Sequence, residues 1–559
     1  MRPQNLLALR IQAFQSLITS SIKKKLIFHP IVFALYPVIS LFLYNAGQVQ
    51  LRETIGTIII VIIFSMCIWV VLNLKLRDWR KSAFLCSIFI ILFFSYGHIL
   101  NFLRIVVHQY EYLSWASFFI TSQFGMYSWL ILWVGIFITS YLLINRTHFN
   151  LSHITLFLNF VSLVIILLFS YNLIKIEKSR QHNQSKLISD WNNQIDNEFS
   201  STTEGHSRNS PDIYYIILDG YGRSDILKEI YDYDNSEFLT FLKQEGFYVA
   251  EESRANYAFT TMSLTSSLNY MYLNNLAEKL GEASHDFMLV HAMAENNRLI
   301  RYLRGLGYLI RNVSTGYHLS EKIQADIEVS PHVNESAFQR QLINSTPIPL
   351  LMDFPFSKNQ FDIHRDRILF AFDNIVPNSD LRIQPEFTFV HIYAPHPPFV
   401  FGQNGEFLLP DGIFNTFDGD QYTAVMGKEE YVQGYQNQIP YITQRIQGVI
   451  QNIISNSQTQ PIIVLQSDHG PGSMLHWSSP EQTNMRERMS ILNAYYFPDR
   501  DYSDLYPSIS PVNTFRIILN KYFQYDYDIL RDESYYSSVG SPYFFYELTQ
   551  DLDVVYEDD

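Results

Sequence analysis

The chain has 559 residues, more than one ordinary domain holds. Apolar residues make up 47% of it and charged residues only 17%, a balance that points to a membrane portion. The net charge of −14 excludes the Lys/Arg-rich surface that a nucleic-acid partner demands, and the two cysteines, Cys67 and Cys86, lie in apolar runs and exclude a disulfide framework or a thiolate metal site in the soluble part.

From the N-terminus, a cytoplasmic tail (1–25) precedes a membrane domain (26–175). Five apolar stretches are readable there: Leu26–Ala46, Ile55–Leu74, Ser82–Leu103, Met126–Asn145 and Leu151–Ile174. Each approaches the ~20 residues that cross a hydrocarbon core, so a five-helix transmembrane bundle is expected. Leu26–Ala46 follows Lys23–Lys25 and lacks an A-x-A-like exit, which reads as an uncleaved anchor. Basic residues cluster before the first stretch (Arg2, Arg10, Lys23–Lys25) and between the second and third (Lys75, Arg77, Arg80, Lys81), whereas the alternate loops hold Arg52 and Arg104. The positive-inside rule then puts the N-terminus in the cytoplasm and the C-terminal domain outside the cell membrane, with Lys175, Lys178 and Arg180 on the opposing side of that rule. The aromatic Tyr110–Phe124 segment reads either as an interfacial stretch or as a plain loop.

A polar linker (176–210), helical around Leu187–Phe199, leads to an α/β domain (211–540) and an acidic tail (541–559). Asp212–Leu218, Phe387–Ile392 and Ile462–Gln466 are short β-branched and aromatic runs bounded by turn formers, which predicts strands. Helical patterns such as Asp286–Leu306 and Tyr431–Ile454 lie between them, so a mostly parallel sheet covered by helices is expected. Each predicted strand ends in metal-competent residues: Asp219; His391 with His396; Asp468 with His469, and His476 shortly after. In such sheets ligands sit beyond the carboxyl ends of the strands, and carboxylates with imidazoles suit Zn²⁺ or Mn²⁺. A lone acidic residue there also serves as a helix cap.

In Asn256–Leu273 (NYAFTTMSLTSSLNYMYL), Thr260 or Thr261 stands at a predicted helix start. Free N–H donors there stabilise an attached anion, and a metal can activate the hydroxyl; an ordinary threonine N-cap satisfies the same pattern.

The set Asp219-Gly220, Thr260-x-x-Ser263, His391-x4-His396, Asp468-His469-Gly470 and His476 resembles the alkaline phosphatase/sulfatase superfamily. With the preceding apolar stretches it is most similar to membrane phosphotransferases of the lipoteichoic acid synthase and phosphoethanolamine transferase type. That resemblance implies an alkaline-phosphatase-like ectodomain in which Asp219, Thr260, Asp468 and His469 hold one divalent metal, with Thr260 as the nucleophile. It implies that His391, His396 and His476 bind the transferred group or a second metal, and that His396 or His476 handles protons. A phospho-alcohol head group would move from a membrane lipid donor to a glycan or lipid acceptor; a hydrolase and a non-catalytic scaffold are the alternatives. The transferases usually carry Glu where this chain has Asp219, and their disulfide bracing is absent here. No C/S-x-P-x-R context exists for a formylglycine sulfatase.

Overall fold

A computed structural model of the chain describes residues 26–47, 49, 51–109, 122–147, 150–179, 185–199, 210–331, 337–352, 359–377, 384–410 and 414–548. The expected tail at 1–25, most of the Tyr110–Phe124 segment and the acidic end from 549 lie outside these residues. The chain divides into two compact units, one built from residues up to 99 with 127–178, the other holding most of the remainder.

In the first unit, four helices are long and apolar enough to cross a membrane: Leu51–Leu76, Trp79–Leu103, Phe124–Arg146 and Ser152–Lys178. The fifth expected span is shorter. Its helix covers the 16 residues His29–Tyr44, about 24 Å at 1.5 Å per residue. Pro30 near its start and the Asn159 side chain, which accepts from the backbone N–H groups of Phe28 and His29, fix where it begins. At the other end the Asn45 side chain donates to Leu41 O. Polar groups inside the unit pair with one another: His29 Nδ1 lies 2.7 Å from Ser87 Oγ, and Ser65 Oγ donates to Pro30 O.

The second unit holds a seven-stranded sheet. Its strands are β1 (Ile213–Leu218), β2 (Tyr248–Val249), β3 (Leu309–Val313), β4 (Ile327–Val329), β5 (Glu386–Ile392), β6 (Ile462–Gln466) and β7 (Asn493–Tyr496), in spatial order β2-β7-β6-β1-β5-β3-β4. β1 pairs in parallel with both β5 and β6, and β7 runs antiparallel to β6. All residues of β1, β5 and β6 are buried, because alternate side chains enter two different cores. Tyr214, Ile216 and Leu218 pack with Ile439, Ile442 and Ile446 of the Lys428–Asn456 helix. Ile213, Tyr215 and Ile217 pack on the opposite face with Leu264, Leu268 and Phe515.

Two expected boundaries differ. The Asp286–Leu306 pattern is two helices, Met288–Glu295 and Arg298–Gly305, because the Asn297 side chain accepts from Ile300 N and caps a new helix start. Residues assigned to the acidic tail include a strand, β9 (Ser541–Glu547), paired antiparallel with β8 (Tyr535–Ser538) and anchored by the buried Tyr543. The linker does contain a helix, Ser185–Phe199, whose Trp191 donates to Asn296 O at 3.1 Å.

Register positions the strand ends. Ile217 of β1 stands opposite His391 of β5 and Gln466 of β6, so Asp219 and Asp468 leave the sheet at one level and His391 sits two residues below it, still within β5. The turn after β6 is packed against the backbone of residues 487–490: Gly470 N donates to Arg488 O at 2.7 Å, and a Cβ on Gly470 would sit 2.1 Å from Glu487 O. Gly470→Ala is therefore expected to destabilise the α/β unit by about 1–3 kcal/mol, the range for overpacking. A urea titration of the full-length protein followed by tryptophan fluorescence measures this, and an unchanged midpoint would contradict it.

Candidate metal and nucleophile site

Asp219, His391 and Asp468 offer ligand atoms that lie within 4.8 Å of one another, and all three residues are buried. Asp219 Oδ2 is 3.2 Å from His391 Nε2, and Asp219 Oδ1 is 3.5 Å from His469 Nε2. Asp468 Oδ2 is 3.4 Å from the same His469 nitrogen. The backbone holds these groups still: Asp219 N donates to Ile392 O, His396 N donates to Asp219 O, and Gly220 N donates to Asp468 Oδ1 at 3.3 Å.

The ring nitrogens can be assigned from their partners. His469 Nδ1 faces Gly470 O at 2.9 Å and must donate to it, which leaves Nε2 as the acceptor. His391 Nδ1 faces Ser320 Oγ at 3.4 Å, whose own hydroxyl donates to Tyr317 O. Both imidazoles thus turn lone pairs toward carboxylate oxygens. Both oxygens of Asp219, Asp468 Oδ2 and His391 Nε2 lack a hydrogen-bond partner among the described residues. Lone pairs facing one another out of water are costly unless a cation lies between them. A mixed nitrogen and oxygen donor set fits a divalent ion such as Zn²⁺ or Mn²⁺.

Burial works against ionisation of Asp219, whereas positive charge at the surrounding His396, His391 and His469 positions favours it and brings its carboxyl down to about 2, so with neutral rings the carboxylate calls for another cation beside it. The pKa of His469 is lowered by burial first and by the Arg488 charge second, with the neighbouring carboxylates opposing, so its ring is held neutral and competent as a ligand.

Thr260 opens the Thr260–Asn269 helix, and the N-cap is Phe259, which supplies no side-chain cap. The threonine N-cap alternative therefore does not hold. Thr260 Oγ1 lies 3.2 Å from His469 Nε2 and donates to it. Thr261 Oγ1 instead meets Tyr317 OH at 3.1 Å. Ser263 Oγ donates to Asp468 O at 2.6 Å, joining the first helical turn to the end of β6. The structure thus brings Thr260, Asp219, Asp468 and His469 together, and His391 joins them through Asp219.

The other histidines divide. His396 stacks on Tyr393 at 4.7 Å; its Nδ1 donates to Pro397 O at 2.6 Å and its Nε2 is 3.7 Å from Asp418 Oδ2. His476 is half-buried and is held by its backbone, its N–H donating to Thr483 Oγ1 and its carbonyl accepting from Tyr536 OH. Among the described residues no hydrogen bond or ion pair joins its ring to the Asp219 group.

The chain is similar to the integral membrane protein lipooligosaccharide phosphoethanolamine transferase A (EptA) from Neisseria meningitidis, at 12% identity and a TM-score of 0.37, over 88% of this chain and 94% of that one. It is similar to the C-terminal periplasmic domain of EcEptC from Escherichia coli in complex with Zn, at 12% identity and a TM-score of 0.36, over 61% of this chain and 94% of that one. For the lipoteichoic acid synthase LtaP from Listeria monocytogenes the identity is 9% and the TM-score 0.34, over 59% and 77% of the two chains. These proteins are of the kinds that the sequence motifs resemble. No protein-family model and no curated protein matches the chain.

Sequence reasoning passed over Asp418, Arg488 and Tyr317. Asp418 sits in a polar loop and Arg488 in the short charged helix Met485–Met489 (MRERM), where solvation is the ordinary expectation. Asp418 accepts from Arg488 Nη1 at 2.6 Å and from Tyr431 OH at 2.8 Å. Burial opposes its ionisation, but Arg488 and then His396 and His469 hold its carboxyl well below the usual carboxylate range. Asp468→Ala is expected to abolish stoichiometric retention of a divalent metal by the purified full-length protein, measured by elemental analysis; equal metal content in parent and variant would contradict the site.

Proposed function

We propose that the chain is a membrane-anchored, metal-dependent phosphotransferase of the alkaline phosphatase/sulfatase superfamily, acting outside the cytoplasm. In this reading it moves a phosphoglycerol- or phosphoethanolamine-type head group from a membrane lipid donor to a glycan or lipid acceptor. The observation that carries it is the Thr260 hydroxyl at an uncapped helix start, directed onto His469 beside Asp219, Asp468 and His391. Formation of a covalent threonine ester needs this combination: a nucleophile, donors for an anion, and ligands for a cation.

Asp219, Asp468, His469 and Thr260 would hold one divalent ion, with His391 in reach of the same group. Such an ion supplies Lewis-acid neutralisation of the phosphoryl oxygens and acidifies the threonine hydroxyl. Thr260 gives up its proton to solvent and forms an Oγ–P bond while the donor's P–O bond breaks; the departing alkoxide takes a proton from a histidine. An acceptor hydroxyl then attacks phosphorus and returns its proton to that histidine, the Oγ–P bond breaks, and the released Thr260 alkoxide regains a proton from solvent. His396 is the better-held candidate for the proton carrier, because its Nδ1 is fixed on Pro397 O and its Nε2 faces Asp418; His476 is the other. Free N–H groups at the start of the Thr260–Asn269 helix stabilise the attached phosphoryl group. Attachment to the membrane raises the effective concentration of a lipid-borne donor. A water acceptor gives a phosphodiesterase by the same steps, and Asp219 in place of the transferases' Glu favours that second reading.

Intact-protein mass spectrometry of the protein extracted with its native lipids is expected to show a covalent adduct on Thr260 whose mass names the transferred group. The adduct disappears in Thr260→Ala; an adduct on Thr261, or none, would refute the assignment. For orientation, a reporter fused after Ile174 is expected to be active only outside the cytoplasm, and cytoplasmic activity would reverse the topology.

A further inference from the structure

Arg488 is among the largest fully buried side chains of the protein, at 1% exposure, and its guanidinium touches three segments of the candidate site. Nε donates to Ala258 O at 2.7 Å, two residues before Thr260. Nη1 donates to Gly470 O at 3.1 Å and to Asp418 Oδ2 at 2.6 Å. Gly470 O is the same carbonyl that accepts from His469 Nδ1, and Asp418 Oδ2 is the oxygen facing His396 Nε2. The guanidinium carbon lies 5.4 Å from the Trp477 ring centroid, a cation–π contact on the residue next to His476. The main chain is tied in as well, since Arg488 O accepts from Gly470 N.

We propose that Arg488 is a positioning residue for the transfer reaction, locking the turn before Thr260, the turn after His469 and the carboxylate facing His396 into one geometry. This rests on the reading of Thr260 as nucleophile and His469 as metal ligand. A planar guanidinium serves several acceptors at fixed angles, whereas an ammonium on a flexible stem cannot hold two carbonyls and a carboxylate in the same arrangement. Asp418 is thereby committed: one oxygen takes Tyr431 OH and the other takes Arg488. It acts on His396 as a fixed negative neighbour. Without the clamp, Gly470 O loses a donor, the His469 ring loses its fixed anchor, and Thr260 is free to drift from His469. A misplacement of about 1 Å at reacting groups costs on the order of 10²-fold in rate.

The test uses the purified full-length protein in detergent, with bis(p-nitrophenyl) phosphate as the probe ester and a chelator competition for bound Zn²⁺. Arg488→Lys retains a positive charge beside Asp418 and keeps the fold, checked by circular dichroism. It is expected to lower kcat about 10²-fold with KM within about threefold, and to weaken Zn²⁺ retention about 10–100-fold, as loss of a group supporting a metal ligand does. Asp418→Asn, whose single amide oxygen can still accept from Arg488 while the charge and the second acceptor are removed, is expected to lower kcat while leaving Zn²⁺ retention at the parent value. Unchanged Zn²⁺ retention in Arg488→Lys overturns the clamp, as does a loss of kcat that matches the loss of folded protein. Thr260→Ala is measured alongside: an active Thr260→Ala overturns the nucleophile reading, while Zn²⁺ retention in Arg488→Lys still decides the clamp by itself.

Discussion

Three carboxylates, Asp219, Asp468 and Asp418, are removed from water within one small region, and the rest of the site is arranged around that burden of negative charge. Taking a carboxylate out of water costs several kcal/mol even after the surroundings relax. Asp418 is offset by the Arg488 guanidinium and a tyrosine hydroxyl. Asp219 and Asp468 instead face the lone-pair nitrogens of His391 and His469, an arrangement that calls for a cation. One region therefore contains a carboxylate neutralised by the protein and two left for a metal. That difference separates a supporting group from a ligand group more clearly than residue type does.

The sheet is what makes such a concentration of polar groups affordable. β1, β5 and β6 are adjacent and parallel, so their carboxyl ends emerge at one level, and backbone N–H groups that no longer have strand partners hold the emerging side chains. Two apolar cores grip the sheet from either face, which keeps the strand ends in register. The Thr260–Asn269 helix packs on one of those faces and is tied to β6 through Ser263 and Asp468 O. The nucleophile and the metal-competent groups are consequently mounted on or at the ends of elements that share a core.

The first unit follows a different logic. Its long helices expose apolar side chains such as Ile60, Leu74, Ile131 and Leu156, which in water would be a severe cost and in lipid is the normal state. The few polar groups turn inward and satisfy one another, as His29 with Ser87 and Ser65 with Pro30 O. Pro30 and Asn159 set the start of the first helix and leave it shorter than its apolar run implied, because a capped helix start is decided by hydrogen bonds and not by hydropathy.

Local patterns in the sequence determined a good deal. β-branched and aromatic runs stopped by Asp-Gly, Tyr-Ala-Pro-His and Asp-His-Gly marked β1, β5 and β6 in turn, the helix start at Thr260 was legible, and Asp219, Thr260, Asp468 and His469 do converge. Tertiary structure alone decided that His391 joins Asp219 while, among the described residues, no hydrogen bond or ion pair ties the His476 ring to that group, that Asn297 breaks the Asp286–Leu306 pattern, and that Ser541–Glu547 is a strand. It alone brought Arg488 under Asp418, Ala258 and Gly470. The reason is physical. Periodicity and turn chemistry report which side chains avoid water and where the chain bends, over a few residues at a time. The pairing of buried charges depends on distances between segments tens or hundreds of residues apart, and those distances exist only once the chain has folded.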